Sequence, residues 1–518
     1  WFAAAVLFGS MVSGMAVLGD DPPAGPKADP KAKAADKPPP DADITKDVRA
    51  WNSDKFASPP TQFRQGHTTP RQLDPKAITK KTDGFAVQLP SGAPIPTPSV
   101  CDGKVFVSGG FHSREFYCLD AKTGALVWAI DLDDDGPTAA ACADGVCVFN
   151  TESCTLFAVD AKTGQHLWSH WLGDPLTSTP TIANGVVYTS YPAMGGGGMP
   201  NQGPNANAKP APAADKAHPP CSHVLVALEL KTGKILWQRW LDSDVMTAPV
   251  AVDKEVYAAS FSGVVYRFNQ ADGEILSAVR TRATSAPTVV GKNVYFTRRT
   301  DDGKSCKEAV NTVDRGSNAV LATGEPREAV WLDVRVQQGG NFAAAAQKLD
   351  AGNGFGGGAP MQANPKAAEG NVGYGNVSSM QAFQGSRVLS MGGRNFNCMG
   401  DAVICTDPAS GKESWAVKLE GDLKKEGGFL GAPPAAAGNS LIVTTLKGDV
   451  LQLDPANGKV LKKWPTGSPI RFQAAVDGGR VYVGTQDGKL ICIDTGDPTL
   501  TGWPCWGGNP AHTGVAAK

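Results

Sequence analysis

A short motif repeated along the chain restricts the possible fold more than any other feature of this sequence. Residues Phe116–Trp128 read F-Y-C-L-D-A-K-T-G-A-L-V-W, and close copies occupy Leu156–Trp168 and Leu225–Trp237. Weaker copies follow, and the turn residue that anchors each copy recurs at steps of 40, 69, 40, 138, 47 and 40 residues. A base period of about 40 residues with insertions is typical of a repeat architecture.

Each copy predicts a strand, a tight turn and a second strand. Alternating apolar residues before the turn are typical of a strand covered on both faces. In D-A-K-T-G, the Asp and Thr side chains can bond nearby backbone amides, and Gly accepts a positive φ. A Trp four residues after the Gly is suited to docking one sheet against the next. We therefore predict structural, blade-docking roles for Trp128, Trp168, Trp237, Trp331, Trp415, Asp120, Gly124, Asp160, Gly164, Gly233, Asp407, Gly411, Asp454 and Gly458.

These units predict an all-β fold, an eight-bladed β-propeller of four-stranded antiparallel blades, with seven blades as the alternative. One unit is hidden in the 138-residue step. We expect it to open at Ala286–Phe296 and to close at Val330–Val336, around Trp331. Phe85–Leu89 matches the outer strand that the last repeat lacks. An N-terminal strand is therefore predicted to close the ring and remove two exposed edges.

Composition divides the rest of the chain. Residues 1–19 are apolar and uncharged, which is typical of a signal peptide or an uncleaved N-terminal anchor, so the folded part is expected outside the cytoplasm. A stretch rich in Pro, Ala and Lys predicts a disordered linker at 20–46. The remaining predictions are an irregular arm at 47–82, the propeller at 83–500 with insertions at 192–220 and 337–375, and a tail at 501–518 that packs on the ring.

Charge and cysteine positions exclude some functions and leave others open. The formal net charge of −1 gives no electrostatic case for binding nucleic acid or an anionic membrane. Three cysteines stand two residues before a turn anchor, where other copies have Ala, and are interpreted as small buried residues: Cys118, Cys405 and Cys492. Three others cluster in one unit and could include a disulfide, although the sequence does not select the pair: Cys142, Cys147 and Cys154.

The pattern A-x-D-x-x-T-G-x-x-x-W, over roughly Phe85–Asp494, resembles the repeats of the PQQ-like β-propeller superfamily. BamB-like proteins and quinoprotein alcohol dehydrogenases belong to that superfamily. The segment Thr501–Gly514 (T-G-W-P-C-W-G-G-N-P-A-H-T-G) also resembles one that is common in its secreted bacterial members. The resemblance implies an eight-bladed propeller outside the cytoplasm, but it leaves the function open because one fold hosts many activities.

The dehydrogenase branch would imply a vicinal disulfide, a Trp stacked on the quinone and a Ca²⁺ ion held by carboxylate and amide oxygens. The chain has no Cys-Cys pair, and its recurring Asp and Trp residues are explained by the blades. His218, Cys221 and His223 could form a metal cluster, but we interpret them as polar loop residues. We therefore predict no catalytic, cofactor-binding or metal-binding residue, no bound PQQ or Ca²⁺, and no enzymatic activity.

The sequence thus favours an exported, non-catalytic scaffold of BamB-like architecture in the periplasm or outside the cell. Loops on one ring face are expected to bind protein or cell-envelope partners, because a rigid scaffold positions variable loops for recognition. The first alternative is a PQQ- and Ca²⁺-dependent periplasmic quinoprotein dehydrogenase. The second is a structural component of the envelope or surface layer. Nucleic acid is not expected as a partner, and a membrane only through an N-terminal anchor.

Overall fold

The computed structural model describes residues 41–53, 66–152, 155–172, 178–192, 221–300, 307–329, 384–426 and 429–516. These residues form eight antiparallel sheets, each of four or five strands. The first strands of neighbouring blades lie against one another and form the inner wall of the ring. The predicted eight-bladed β-propeller is therefore confirmed. Among the described residues, no helix has the length and apolar character needed to cross a membrane.

In each of the first four blades, the strands follow one another from the inner wall to the outer rim. Blade one contains Ser99–Cys101, Lys104–Ser108, Glu115–Asp120 and Leu126–Leu132. Blade two contains Ala141–Ala143, Val146–Phe149, Thr155–Asp160 and His166–Trp171. Blade three contains Thr181–Ala183, Val186–Pro192, His223–Glu229 and Ile235–Leu241. Blade four contains Val250–Val252, Glu255–Ala259, Val264–Asn269 and Ile275–Arg280.

The other four blades have the same order of strands. Blade five contains Thr288–Val290, Asn293–Arg299, Lys307–Asp314 and Val320–Thr323, with Arg327–Glu328 beside its third strand. Blade six contains Leu389–Met391, Arg394–Met399, Ala402–Thr406 and Glu413–Lys418. Blade seven contains Ala435–Ala437, Ser440–Thr444, Asp449–Leu453 and Val460–Pro465. Blade eight contains Ala475–Asp477, Arg480–Gly484, Lys489–Asp494 and Gly84–Gln88.

The N-terminal arm follows the outer rim of the ring. Ala42–Asp43 pairs with the outer strand of blade four, and the helix Thr45–Trp51 packs on the outer strands of blades three and four. Further along, Gly66 bonds to Ser169 of blade two, and Thr68–Arg71 adds a fifth strand to blade one. The described part of the arm is largely regular because its strands satisfy the open edges of outer strands. The last residues of the stretch predicted as a linker, 20–46, include the described strand Ala42–Asp43 and the start of the helix Thr45–Trp51.

Short helices complete the described elements. Leu423–Glu426 lies between blades six and seven, and two 3₁₀ turns occupy Pro75–Ala77 and Trp506–Gly508. After the first of these turns, Ile78–Lys81 joins the outer edge of blade eight.

The N-terminal strand closes the ring, as predicted. Gly84–Gln88 pairs antiparallel with Lys489–Asp494, and Phe85 takes the position that Trp occupies in other blades. Its ring covers Gly124 of blade one so closely that a Cβ at Gly124 would lie 2.6 Å from Cδ2 of Phe85. The hydroxyl of Tyr482 donates to the carbonyl of Ala121 at 2.8 Å.

The fifth blade differs in one detail from the prediction made from the sequence. Its outer strand is Val320–Thr323, not the segment around Trp331, which lies outside the described residues. The turn before this strand is anchored by Asp314, whose Oδ1 accepts bonds from the backbone amide and the hydroxyl of Ser317 at 2.8 and 2.7 Å. The sequence D-R-G-S-N conceals this turn because Asn318, at φ +60°, replaces the expected Gly.

One contact joins four of the eight blades to the next blade. The indole of Trp168 lies on Gly233 of the next blade, and its Nε1 donates to the carbonyl of Leu230 at 2.8 Å. The same indole-to-carbonyl bond is 3.3 Å for Trp128, 2.9 Å for Trp237 and 3.1 Å for Trp415. The glycines under these three rings are Gly164, Gly273 and Gly458.

The turn anchors position these glycines. Oδ1 of Asp120, Asp160 and Asp407 accepts a backbone amide and a hydroxyl from the residue three positions later, and these hydrogen bonds lower the pKa of each carboxyl. Asp454 accepts the amide of Ala456 at 2.8 Å instead. Gly411 differs from the other glycines, because it faces the backbone of Gly324 and not an indole.

We predict that Gly233→Ala destabilises the protein more than Gly185→Ala. Both glycines have a positive φ, +69° and +74°, so an added side chain strains both backbones similarly. A Cβ at Gly233 would lie 2.6 Å from the Trp168 ring, whereas nothing lies within 4 Å of a Cβ at Gly185. The difference in unfolding free energy between the two variants should be about 1–3 kcal/mol, measured by chemical denaturation. Equal losses would show that the indole contact contributes nothing.

Candidate functional site

The central channel is the natural place for a site in this ring, and the C-terminal tail fills one end of it. The tail bonds through its backbone to the inner strands of successive blades. Val476 and Trp503 exchange bonds of 2.7 and 3.0 Å, and Ile182 donates to Pro510 at 2.7 Å. Further bonds reach blades one, four and six. Leu500 accepts from Gly479, in the turn between the first two strands of blade eight, so the tail enters from the face that carries these turns.

A buried cluster fixes this tail. The guanidinium Cζ of Arg387 lies 4.5 Å from the centroid of the Trp506 ring, and its Nη2 donates to the carbonyls of Pro287 and His512. The ring nitrogens of His512 contact the carbonyls of Trp506 and Pro180 at 2.7 and 2.9 Å. Burial lowers the pKa of His512 to about 4, so this histidine is neutral at pH 7 and donates a hydrogen bond to only one of the two carbonyls.

A second polar cluster lies on the face where neighbouring blades connect. The side-chain amide of Asn150 donates to Oγ1 of Thr189 at 2.9 Å, and the hydroxyls of Ser178 and Ser190 are 3.1 Å apart. Ser190 donates to Oδ1 of Asp244 at 3.0 Å. These side chains link the second, third and fourth blades through short polar contacts.

Asp244 is the member of this cluster with the most unusual ionisation. It is 3% exposed, and burial raises the pKa of its carboxyl from 3.8 to about 7. A carboxyl with a pKa near 7 can exchange protons in a reaction. Its Oδ1, however, is held by Ser190 and by the backbone amide of Val245 at 2.7 Å. This arrangement is that of a buried carboxyl that ties one blade connection to the next blade.

Two other buried acids of this face also accept hydrogen bonds from neighbouring side chains. Oδ1 of Asp242 accepts from the hydroxyl of Tyr266 at 2.8 Å, and Oδ2 of Asp134 accepts from Thr151 at 2.6 Å. In the part of the chain that the structure describes, no three His, Cys, Asp or Glu side chains converge in a way that could hold a metal ion.

The histidine and cysteine residues considered as a metal cluster have other roles. Nδ1 of His223 lies 2.7 Å from the hydroxyl of Ser222, and burial lowers the pKa of this histidine to about 3. Cys221 is buried beside it, and burial raises the pKa of its thiol. His218 lies outside the described residues.

The cysteine positions follow the blades. Cys142 and Cys147 are directly opposite on the two inner strands of blade two, and their Sγ atoms are 2.8 Å apart, whereas Cys154 lies outside the described residues. The three cysteines that replace Ala are buried, opposite Trp128, Trp415 and Phe85: Cys118, Cys405 and Cys492. Burial raises the pKa of the Cys118 and Cys492 thiols to about 12, so they are not nucleophiles at neutral pH.

Of the residues predicted from the repeat, the four described tryptophans contact the next blade, and the four Asp anchors accept hydrogen bonds within their own turns. Trp331 lies outside the described residues. Repeat patterns missed Asp244 and Arg387 because neither recurs from blade to blade. Trp506 and His512 carried a signal, since both belong to the Thr501–Gly514 segment.

The family of this chain follows from its sequence match. The family described as outer membrane protein assembly factor BamB matches residues 51–198, 221–336 and 399–501, which is more than half of the chain. The chain belongs to this family. No curated protein sequence matches the chain.

Several solved structures share the fold. BamB from Moraxella catarrhalis has 14% identity and a TM-score of 0.50, covering 80% of this chain and 99% of that one. Quinohemoprotein alcohol dehydrogenase from Comamonas testosteroni has 13% identity and a TM-score of 0.50, covering 82% and 77%. Saccharomyces cerevisiae Sqt1 has 7% identity and a TM-score of 0.52, covering 78% and 96%. At such identities these similarities show the fold alone, because one fold hosts unrelated functions.

We predict that Asp244→Asn changes how stability depends on pH. In the wild type the folded-state pKa is about 7 and the unfolded value is 3.8, so the unfolded state loses its proton first as pH rises. Wild-type stability should therefore fall between these values and level off above pH 7. The variant lacks this titration, so it should gain roughly 2–4 kcal/mol relative to wild type between pH 4 and pH 8.

The measurement is the free energy of unfolding by urea at several pH values. Asp160→Asn serves as a control of opposite sign, because hydrogen bonds from Thr163 lower the pKa of Asp160. That variant should lose stability at neutral pH, and the loss should shrink in acid. A pH-independent difference between Asp244→Asn and wild type would contradict the buried, proton-binding role of Asp244.

Proposed function

We propose that this protein is an exported, non-catalytic propeller scaffold that binds a protein or cell-envelope partner through loops on one ring face. The observation that carries the proposal is the C-terminal tail in the central channel. Trp503 and Trp506 are 1% and 2% exposed there, packed by the chain's own residues. A channel end packed in this way is suited to a rigid scaffold, in which the connecting loops bind the partner.

The partner-binding face is assigned from the topology. The tail enters from the face that carries the turns between first and second strands. The connections between second and third strands, and those between blades, emerge on the other face. The described strands that flank residues 193–220 and 330–383 end on that second face. These residues lie outside the described part of the chain and include both predicted insertions apart from Pro192. Long connections on a single face of a rigid ring are typical of a recognition surface.

The alternative function is a quinoprotein oxidoreductase, since a quinohemoprotein dehydrogenase shares the fold. Such a site needs an opening for a planar quinone and several oxygen ligands for Ca²⁺. The described residues at the two ends of the channel fit that group poorly. Aromatic rings of the tail occupy one end, and the buried carboxylates at the other end are held by Ser, Thr, Tyr and backbone donors.

We predict that replacing residues 193–220 by a short Gly-Ser turn abolishes partner binding and leaves the fold intact. Pro192 and His223 are directly opposite in adjacent strands, so a short turn can join them. The measurement is cross-linking to cell-envelope extract followed by mass spectrometry, with thermal unfolding as the control for folding. An unchanged set of cross-linked proteins would contradict a role for this loop. Loop-dependent self-association would instead support a structural envelope component.

We predict no saturable binding of PQQ in the presence of Ca²⁺. The chain has 12 Trp residues, so a quinone stacked on an indole should quench their fluorescence. Quinone added up to about 100 µM should change the Trp fluorescence only linearly, because the quinone absorbs light. Saturable quenching that chelation of Ca²⁺ reverses would overturn the non-catalytic proposal and favour the oxidoreductase.

A further inference from the structure

The interface between blades four and five lacks the tryptophan that lies on the next blade at four other interfaces. Ser277 pairs with Arg267 across the outer two strands of blade four. In blades one, two, three and six the residue at the position of Ser277 is a tryptophan. The glycine that would lie under such a ring is also replaced, by Asn318 of blade five.

A cavity of about 250 Å³ occupies this space. Its walls are apolar side chains from both blades, including Val265, Val279, Phe296 and Val313. At the interface of blades one and two, aromatic rings fill the equivalent region, with Phe116 stacked 6.3 Å from Trp128. The cavity therefore lies where other interfaces hold an indole ring, and apolar side chains still surround it.

The two guanidinium groups beside the cavity are already neutralised. Arg267 donates to the carbonyl of Arg315 and so replaces the indole N–H of the other interfaces. Glu255 accepts from Arg267 at 2.7 Å and from Arg315 at 2.9 Å, and Arg315 also pairs with Asp253 at 2.7 Å. Because each guanidinium has a carboxylate partner and most of the wall area is apolar, the cavity favours an uncharged ligand. Guanidinium planes also stack well on aromatic rings.

The cavity reaches the outer rim of the ring. Asp41 and Asp43, from the edge strand of the N-terminal arm, line it together with Val320. Val320 is 52% exposed, and the adjacent Leu321 is 54% exposed. A ligand that arrives from outside would therefore meet an apolar surface at the entrance before it enters the cavity.

We propose that this cavity binds one uncharged aromatic ring system of about the size of indole, presented as a side chain of a partner protein. Its volume exceeds the ~150 Å³ of an apolar cavity that holds benzene, and lies below the ~300 Å³ at which drug-sized sites begin. Aromatic side chains seated in such pockets dominate protein interfaces. The identity of the ligand as a partner's side chain rests on the proposed scaffold function, whereas binding of the ring itself does not.

The experiment uses 5-fluoroindole and N-acetyltryptophanamide as probes, observed by ¹⁹F and saturation-transfer NMR on the whole protein. We expect dissociation constants of about 0.1–1 mM, as befits a fragment with few atoms. Ser277→Trp should restore the missing indole and weaken probe binding at least about tenfold. Ser277→Ala leaves the cavity open and should bind within about twofold of wild type. Val279→Phe narrows the cavity from the same strand, two residues after Ser277, and serves if Ser277→Trp does not fold.

The outcomes test ligand binding by the cavity and the proposed scaffold function separately. Absence of probe binding to the wild type up to about 5 mM, or equal binding by the filled variants, would overturn the proposal. Partner cross-links that survive Ser277→Trp, with probe binding lost, would overturn the assignment to a partner's side chain and leave a free aromatic molecule as the ligand. Loss of both supports the proposal in full. A scaffold without any partner would still show probe binding, so the two failures are distinguishable.

Discussion

The indole that lies on a glycine of the next blade is the contact on which the ring depends. A single four-stranded sheet cannot bury both faces, so each blade is stable only against its neighbours. The flat contact between Trp168 and Gly233 fixes the distance between two blades, and the bond to the carbonyl of Leu230 fixes their rotation. A turn anchored by an acidic residue holds the glycine at positive φ. Backbone geometry and side-chain packing therefore specify the same arrangement.

The two ends of the chain complete what the repeated contact leaves open. The N-terminal arm leads into the strand that closes the seam, where Phe85 replaces the indole ring and Tyr482 of blade eight supplies its hydrogen bond. It also covers the outer edges of several blades, where unpaired strands would favour aggregation. The tail bonds to inner strands from within the channel. Residues far apart in sequence thus restrain the ring from outside and inside, which suits a rigid scaffold.

The sequence predicts the features that repeat and misses those that do not. The blade number and the antiparallel strands followed from the repeated units, and the closing strand followed from the match of Phe85–Leu89 to an outer strand. The turn at Asp314 was missed because its glycine is replaced by Asn318, and the neighbouring Trp331 was chosen in its place. Asp244 and Arg387 occur once each, and their roles depend on tertiary contacts between distant blades. Composition and periodicity carry no information about such contacts.

Departures from the repeat are therefore where this fold acquires individual properties. A residue that recurs in each blade is explained by blade docking, so it cannot by itself mark one functional site. At the interface of blades four and five, Arg267 supplies the hydrogen bond that tryptophan supplies elsewhere, so the blades remain joined while the ring position stays open. Because Arg267 makes the hydrogen bond between the blades, this interface can lack the aromatic side chain and the propeller still stays closed. A position freed from its structural role in this way is available for recognition.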